Sequence, residues 1–158
     1  MPRRGSVKVR QTEPDPIYKN RLITKFINRA MRDGKKSTAQ KEIYRSFELI
    51  KSEGEDPVKI FSQAIENVKP GMEVRPRRIG GAAYQVPIPV RGTRKESLAI
   101  RWIIGAAQGR SNSEFRTFAE KLAAEFKDAA KSEGLAVKKK IDMERMAEAN
   151  RAFAHFRW

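Results

Sequence analysis

Apolar positions recur three and four residues apart along most of this chain, and in one stretch they alternate instead. Leu22, Ile23, Phe26, Ile27, Ala30 and Met31 share one face of a helix that Gly34 ends. Ser37, with Gln40 three residues on, has the form of a capping box opening a second helix. Its face is Ala39, Ile43, Phe47 and Ile50, and Gly54 stops it. Asp56 followed by Pro57 predicts a third start, because proline suits the first helical position. Ile60, Phe61, Ala64, Ile65 and Val68 form its stripe before Pro70-Gly71.

The period then changes to two. Tyr84, Val86, Ile88 and Val90 alternate with other positions, Met72 to Ile79 supplies a partner strand, and Gly80-Gly81 supplies the turn. Pro76, Pro87 and Pro89 cannot donate ladder hydrogen bonds. They exclude a central strand and predict a lone ribbon over 72–90. Such a ribbon is marginally stable by itself, so it is expected to project from a helical body and to be steadied by its partner.

Three more helices follow. Thr93 and Glu96 read as a capping box ahead of Leu98, Trp102, Ile103 and Ala106, with Gly109 as the stop. Ser113 is expected to cap a fifth helix bearing Phe115, Phe118, Ala119, Leu122, Ala123, Phe126 and Ala130, broken by Gly134. Phe118 is expected in the core, as are Trp102, Met143 and Met146. A last helix is expected over 141–151. The fold class is therefore mainly α. It is a single six-helix domain over 20–158 with a protruding two-stranded β-hairpin between helices three and four. Residues 1–19, with Pro2, Gly5, Pro14 and Pro16 and no period, read as an extended basic arm that orders on its partner.

Composition narrows the function. Lys and Arg number 34 and Asp and Glu 19, a net charge of +15 on 158 residues. Charges of one sign repel in the compact state, and a polyanion relieves that repulsion while releasing counterions. No strongly apolar basic helix flanks the charge, so nucleic acid is favoured over a membrane surface. Leu, Ile, Val and Phe total 34 residues, enough for a small core. The absence of cysteine excludes disulfides and thiolate metal sites and fits a reducing compartment. The start, Met-Pro-Arg-Arg-Gly, lacks an apolar stretch, so a soluble, unexported protein is expected.

The candidate chemistry is cationic. Arg75, Arg77 and Arg78 stand across the hairpin from Arg91, Arg94 and Lys95. From Lys69 to Lys95 there are seven positive charges and one negative, Glu73. Arginine forks bind phosphate oxygens in pairs, and Tyr84 among them is placed to stack on a base. Lys35 and Lys36 stand beside a helix N-terminus, which favours a phosphate. The surrounding Gly34-Lys35-Lys36-Ser37 resembles the tail of a P-loop, but Asn28 or Arg29 stands where the upstream glycine is required, which argues against a nucleotide site. Lys138, Lys139 and Lys140 form a further cluster, and Arg3, Arg4, Lys8 and Arg10 charge the arm. His155 is the only histidine and has no suggested partner for acid–base or metal work, so no enzyme, cofactor, metal site or small-molecule substrate is expected. An architectural DNA-binding protein with basic β-arms would look similar. A small RNA-processing enzyme would need catalytic groups that the sequence does not suggest.

Five stretches carry a resemblance: DPIYKN from Asp15, KFINRAMRDGKKSTA from Lys25, NVKPGMEVRPRRIGGAAYQVPIPVR from Asn67, LAIRW from Leu98 and RMAEANRAFAHFRW from Arg145. Together, in this order, they resemble the bacterial-type family of ribosomal small-subunit protein seven. Pro89, Gly92-Thr93, Ile141 to Glu144 and Phe156 depart from that family's usual pattern. The resemblance implies a helical body with a β-ribbon, bound to the 3′ major domain of small-subunit ribosomal RNA. It implies a role in nucleating assembly of the subunit head and a position near exit-site tRNA and mRNA. It also implies ribosomal small-subunit protein eleven and head proteins as neighbours, and a cytoplasmic ribosome, with a plastid origin left open.

Overall fold

The structure, a computed structural model, describes residue 5 and residues 11–157. The order is α1 (Arg21–Ala30), α2 (Lys36–Ser52), α3 (Pro57–Val68), β1 (Met72–Ile79), β2 (Ala82–Pro89), α4 (Gly92–Gly109), α5 (Phe118–Ala130) and α6 (Gly134–Ala149), then a 3-10 helix over Arg151–Phe156. The described residues are thus mainly helical, with one antiparallel hairpin between α3 and α4. Two compact units are formed, Met1–Gln40 and Lys41–Trp158. The expected arm, with Arg3, Arg4, Lys8 and Arg10, falls for the most part outside the described residues.

In the first unit, Asp15 is buried and its carboxylate accepts from the N–H groups of Ile17 and Tyr18, at 3.2 and 3.1 Å. That local turn delivers the chain to Asn20, whose Oδ1 caps α1 by accepting from Leu22 N at 2.8 Å. Ile23, Phe26 and Ile27 then fall on one buried face, as the spacing predicts.

The second unit is centred on three phenylalanines. Phe47 of α2, Phe61 of α3 and Phe126 of α5 are wholly buried. Their ring centroids lie 5.7 Å apart for Phe47–Phe61, 5.4 Å for Phe61–Phe126 and 6.0 Å for Phe47–Phe126. The first two pairs meet edge to face, the arrangement that ring quadrupoles favour. Helix α5 packs against α3, α4 and α6. Asp56 caps α3 and Pro57 opens it, as predicted.

Four of the predicted helix starts need correction. Helix α2 begins at Lys36, so Ser37 lies inside its first turn and not at its cap. Helix α4 begins at Gly92 behind Arg91, with no side-chain cap, and Thr93 is likewise already helical. In both cases the helix starts earlier than its best capping residue, because burial of the apolar face outweighs a single cap. Ser113 does not cap α5. It sits in a turn built on Ser111, and the capping box is formed by Thr117 and Glu120. The backbone N–H groups of Thr117 and Arg116 hold the Glu120 carboxyl below the usual carboxylate range. Phe115 therefore precedes the helix, and Phe118, in its first turn, is half-buried instead of sitting in the core.

The fourth correction concerns α6, which starts at Gly134 and not at 141. Gly134 has φ +89°, and a Cβ there would lie 3.2 Å from Glu125 Oε1 and from Asp128 Cβ. The new helix is capped from a distance: the wholly buried Glu125 of α5 accepts from Ala136 N at 3.1 Å. Arg110 donates to the same carboxylate at 2.7 Å and to Asp128, so the buried charge is paired. Lys138, Lys139 and Lys140 consequently lie within a helix. Trp102 is buried as expected, whereas Met143 is half-buried and Met146 is exposed.

Asn67 caps the C-terminal end of α5. Its Nδ2 donates to the carbonyls of Ala129 and Ala130, each at 2.9 Å. Asn67→Ala is expected to destabilise the protein by about 0.5–1.5 kcal/mol, the net contribution of such a hydrogen bond, because Ser132 N still donates to Ala129 O and Gln63 Nε2 to Ala130 O. Urea unfolding measures it, and an unchanged midpoint would show that water replaces the amide.

Candidate nucleic-acid interface

The hairpin pairs Glu73 with Ile88, Arg75 with Val86 and Arg77 with Tyr84. Directly opposed residues of an antiparallel pair share a face. One face of the ribbon therefore carries Glu73, Arg75 and Arg77 beside Tyr84, Val86 and Ile88, while Val74, Pro76 and Arg78 belong to the other. Helix α6 packs against β1 and the 3-10 helix against β2. The Glu144 carboxylate of α6 accepts from Gly71 N at 2.9 Å at the hairpin's base. The ribbon is thus steadied from within its own chain.

Where β1 meets the start of α4, an open cleft of about 660 Å³ is lined by Arg75, Arg77, Arg91, Arg94 and Arg157, with Glu73 at its wall. Five arginines and one acidic residue thus line it. The Glu73 side chain is only 5% exposed, and Arg75 and Arg94 both clasp it. Arg75 reaches Oε1 through Nε at 2.6 Å and Nη2 at 2.5 Å. Arg94 reaches Oε1 and Oε2 through Nε at 2.9 and 2.7 Å. Both arginine side chains remain about half exposed, at 48% and 45%.

The structure thus brings together Arg75, Arg77, Arg91 and Arg94 of the residues singled out in the sequence. Arg78 is exposed on the opposite ribbon face, and Lys95 lies in the first turn of α4 outside the cleft lining. Arg157 was not singled out. It is 63 residues from Arg94 in sequence, and only the fold of the 3-10 helix brings it to the cleft. Tyr84 packs on Phe153 and Phe156 of that helix, with ring centroids 5.3 and 5.5 Å away, so part of its surface is engaged within the chain.

The lysine clusters differ among themselves. Lys35 and Lys36 are exposed at the start of α2, after Gly34 at φ +74°. Lys138 and Lys139 are exposed on α6. Lys140 instead donates to Asn67 O at 2.9 Å, an interaction that satisfies a carbonyl at the end of α3. Among the described residues no group of three or more His, Cys, Asp or Glu could hold a metal ion, and no helix is long and apolar enough to cross a membrane.

A mainly helical chain with an arginine-lined cleft and exposed lysine pairs fits the class of basic structural proteins suited to a polyanion. Comparison with known proteins makes the class particular. Residues 2–151 match the family described as ribosomal protein S7p/S5e. The chain is 57% identical to the small ribosomal subunit protein uS7 of Carboxydothermus hydrogenoformans, with 100% of both chains covered. It is 55% identical to that of Caldicellulosiruptor bescii, again over 100% of each, and 54% identical to that of Thermotoga petrophila over 99% of each. The chain belongs to the S7p/S5e family of small-subunit ribosomal proteins. This is a structural ribosomal family and not an enzyme family; RNA binding and a place in translation follow from membership.

Proposed function

We propose that the chain binds the 3′ major domain of small-subunit ribosomal RNA in the cytoplasmic ribosome and nucleates assembly of the subunit head. The observation that carries this reading is the five-arginine cleft between β1 and α4. Guanidinium forks match phosphate oxygens in paired hydrogen bonds, and several converging on one cleft suit a folded RNA backbone better than a single small anion. Arg78, Lys95, Lys35, Lys36, Lys138 and Lys139 extend the phosphate contacts, as do Arg3, Arg4, Lys8 and Arg10 of the arm. The same reading gives the hairpin a place near exit-site tRNA and mRNA, with ribosomal small-subunit protein eleven and the head proteins as protein neighbours.

The test is a competition. Labelled 3′ major-domain transcript bound to the protein is challenged with unlabelled duplex DNA and with a scrambled RNA of equal length. Both are expected to displace it only in large excess, because RNA junctions and unstacked bases offer a shape that a uniform duplex does not. Equal competition by duplex DNA would instead support an architectural DNA-binding protein.

Arg77→Ala combined with Arg78→Ala is expected to weaken binding of the transcript roughly 10- to 100-fold at physiological salt, the effect of losing two charged phosphate contacts. The circular dichroism spectrum should not change, since neither residue lies in a helix. Unchanged affinity of the double variant would remove the hairpin from the interface.

A further inference from the structure

Glu73 is out of place in a cleft that collects polyanion-binding charge. A carboxylate there repels phosphate, and removing it would raise the net charge from +15 to +16. It is also buried, which is costly for a charge unless it is paired. Both of its partners are arginines of the same cleft, one from β1 and one from α4, separated by 19 residues of chain.

We infer that Glu73 is a positioning residue for RNA: its buried carboxylate holds the guanidiniums of Arg75 and Arg94 in the orientation in which they clasp a phosphodiester. The inference rests on the function proposed above and adds the reason for an acid inside the basic cleft. Arg75 binds Glu73 along the Nε–Nη2 edge, and Arg94 binds it through Nε. A planar guanidinium has five N–H donors, so the Nη end of each fork is left for a second anion. A long side chain free in solvent loses rotamer freedom when it grips a ligand. Two arginines already tied to one carboxylate have lost that freedom before the RNA arrives. The ion pairs also fix β1 to the start of α4, so the two forks keep a constant spacing. A correctly spaced backbone can then meet both, whereas an arbitrary polyanion gains little from the arrangement and is repelled by the acid. Glu73 thus trades nonspecific attraction for specificity.

Charge and positioning predict opposite results for one substitution. On charge alone, Glu73→Gln binds any RNA as tightly as the parent or more so. As a positioning residue, its loss weakens binding of the 3′ major-domain transcript by about tenfold, on the scale of one charge-assisted contact, while binding of a scrambled transcript of equal length stays constant or tightens. A second variant keeps Glu73 and every charge: Arg75→Lys with Arg94→Lys. It removes the planar forks and should likewise lower affinity for the cognate transcript alone. In that lysine background, Glu73→Gln should have a much smaller effect than in the parent, because the residue acts through the two arginines.

These measurements use the full chain, with the helical circular dichroism signal as the check on folding. If Glu73→Gln does not fold, the lysine pair decides. Cognate preference kept at the parental level in whichever variant folds overturns the positioning role and leaves the ribosomal reading standing. A parent chain that binds both transcripts equally overturns that reading and the inference with it.

Discussion

Phe126→Ala is expected to destabilise the protein by about 3–5 kcal/mol, the usual effect of emptying a wholly buried phenylalanine site. The ring is fully buried and lies within 6.0 Å, centroid to centroid, of both Phe47 and Phe61. Truncation removes its apolar area and the edge-to-face contact with Phe61. It also opens a void where α2, α3 and α5 meet, and two neighbouring rings cannot easily collapse into such a space. Urea unfolding followed by circular dichroism measures the loss. A change below about 1 kcal/mol would mean that the three-ring centre is not the stability core. Phe118→Ala serves as the control. That residue is half-buried at the first turn of α5, so it should lose clearly less.

Affinity for the 3′ major-domain transcript is expected to fall on the order of a thousandfold or more between about 50 and 200 mM salt, if roughly six to ten cations displace counterions. The structure supplies enough of them: five arginines line the cleft, Arg78 is exposed on the hairpin, and Lys35, Lys36, Lys138 and Lys139 are exposed on the helices. Lys140 is not counted, because it is bound to Asn67 O, and Glu73 offsets one of the arginines. The matching titration with a scrambled RNA of equal length separates charge from shape. Counterion release alone gives parallel lines of equal height. Convergence of clusters on one backbone geometry gives parallel lines with a constant gap in favour of the cognate RNA. Coincident lines at every salt concentration would leave a nonspecific polycation and no basis for head-domain recognition.

Most of this was legible in the sequence, for physical reasons that can be assigned residue by residue. The spacing of Ile23, Phe26 and Ile27, of Phe61, Ala64, Ile65 and Val68, and of Leu122 and Phe126 placed those helices, because a helix of this length persists only by burying such a stripe. Asp56-Pro57 marked a start because its cap is local, two residues from the N–H it accepts. The two strands of the hairpin and its turn were legible. Gly80 and Gly81 both take positive φ, and the register from Met72–Pro89 to Ile79–Ala82 follows directly from that two-residue turn. Four of the five arginines of the cleft were legible as part of a charge excess between Lys69 and Lys95.

Tertiary structure decided what depends on partners far away in the chain. The start of α6 could not be read from the sequence near Gly134, because its cap is Glu125 of another helix, 11 residues before the Ala136 N–H that it accepts, and the lone glycine reads as a stop. Ser37, Thr93 and Ser113 each matched a capping pattern, yet none is a cap: such a contact contributes about 1 kcal/mol, and burial of whole helix faces sets the boundary instead. Arg157 reaches the cleft, and Tyr84 meets Phe153 and Phe156, only because the 3-10 helix folds against β2. The most consequential case is Glu73. In the sequence it is a single negative charge diluting a basic segment. In the structure it is buried and paired, and the two arginines that pair it both line the cleft. Composition thus favoured a polyanionic partner, since net charge survives any fold. Which cations act together was decided by packing, since the pairing of a buried charge is a property of the space around it.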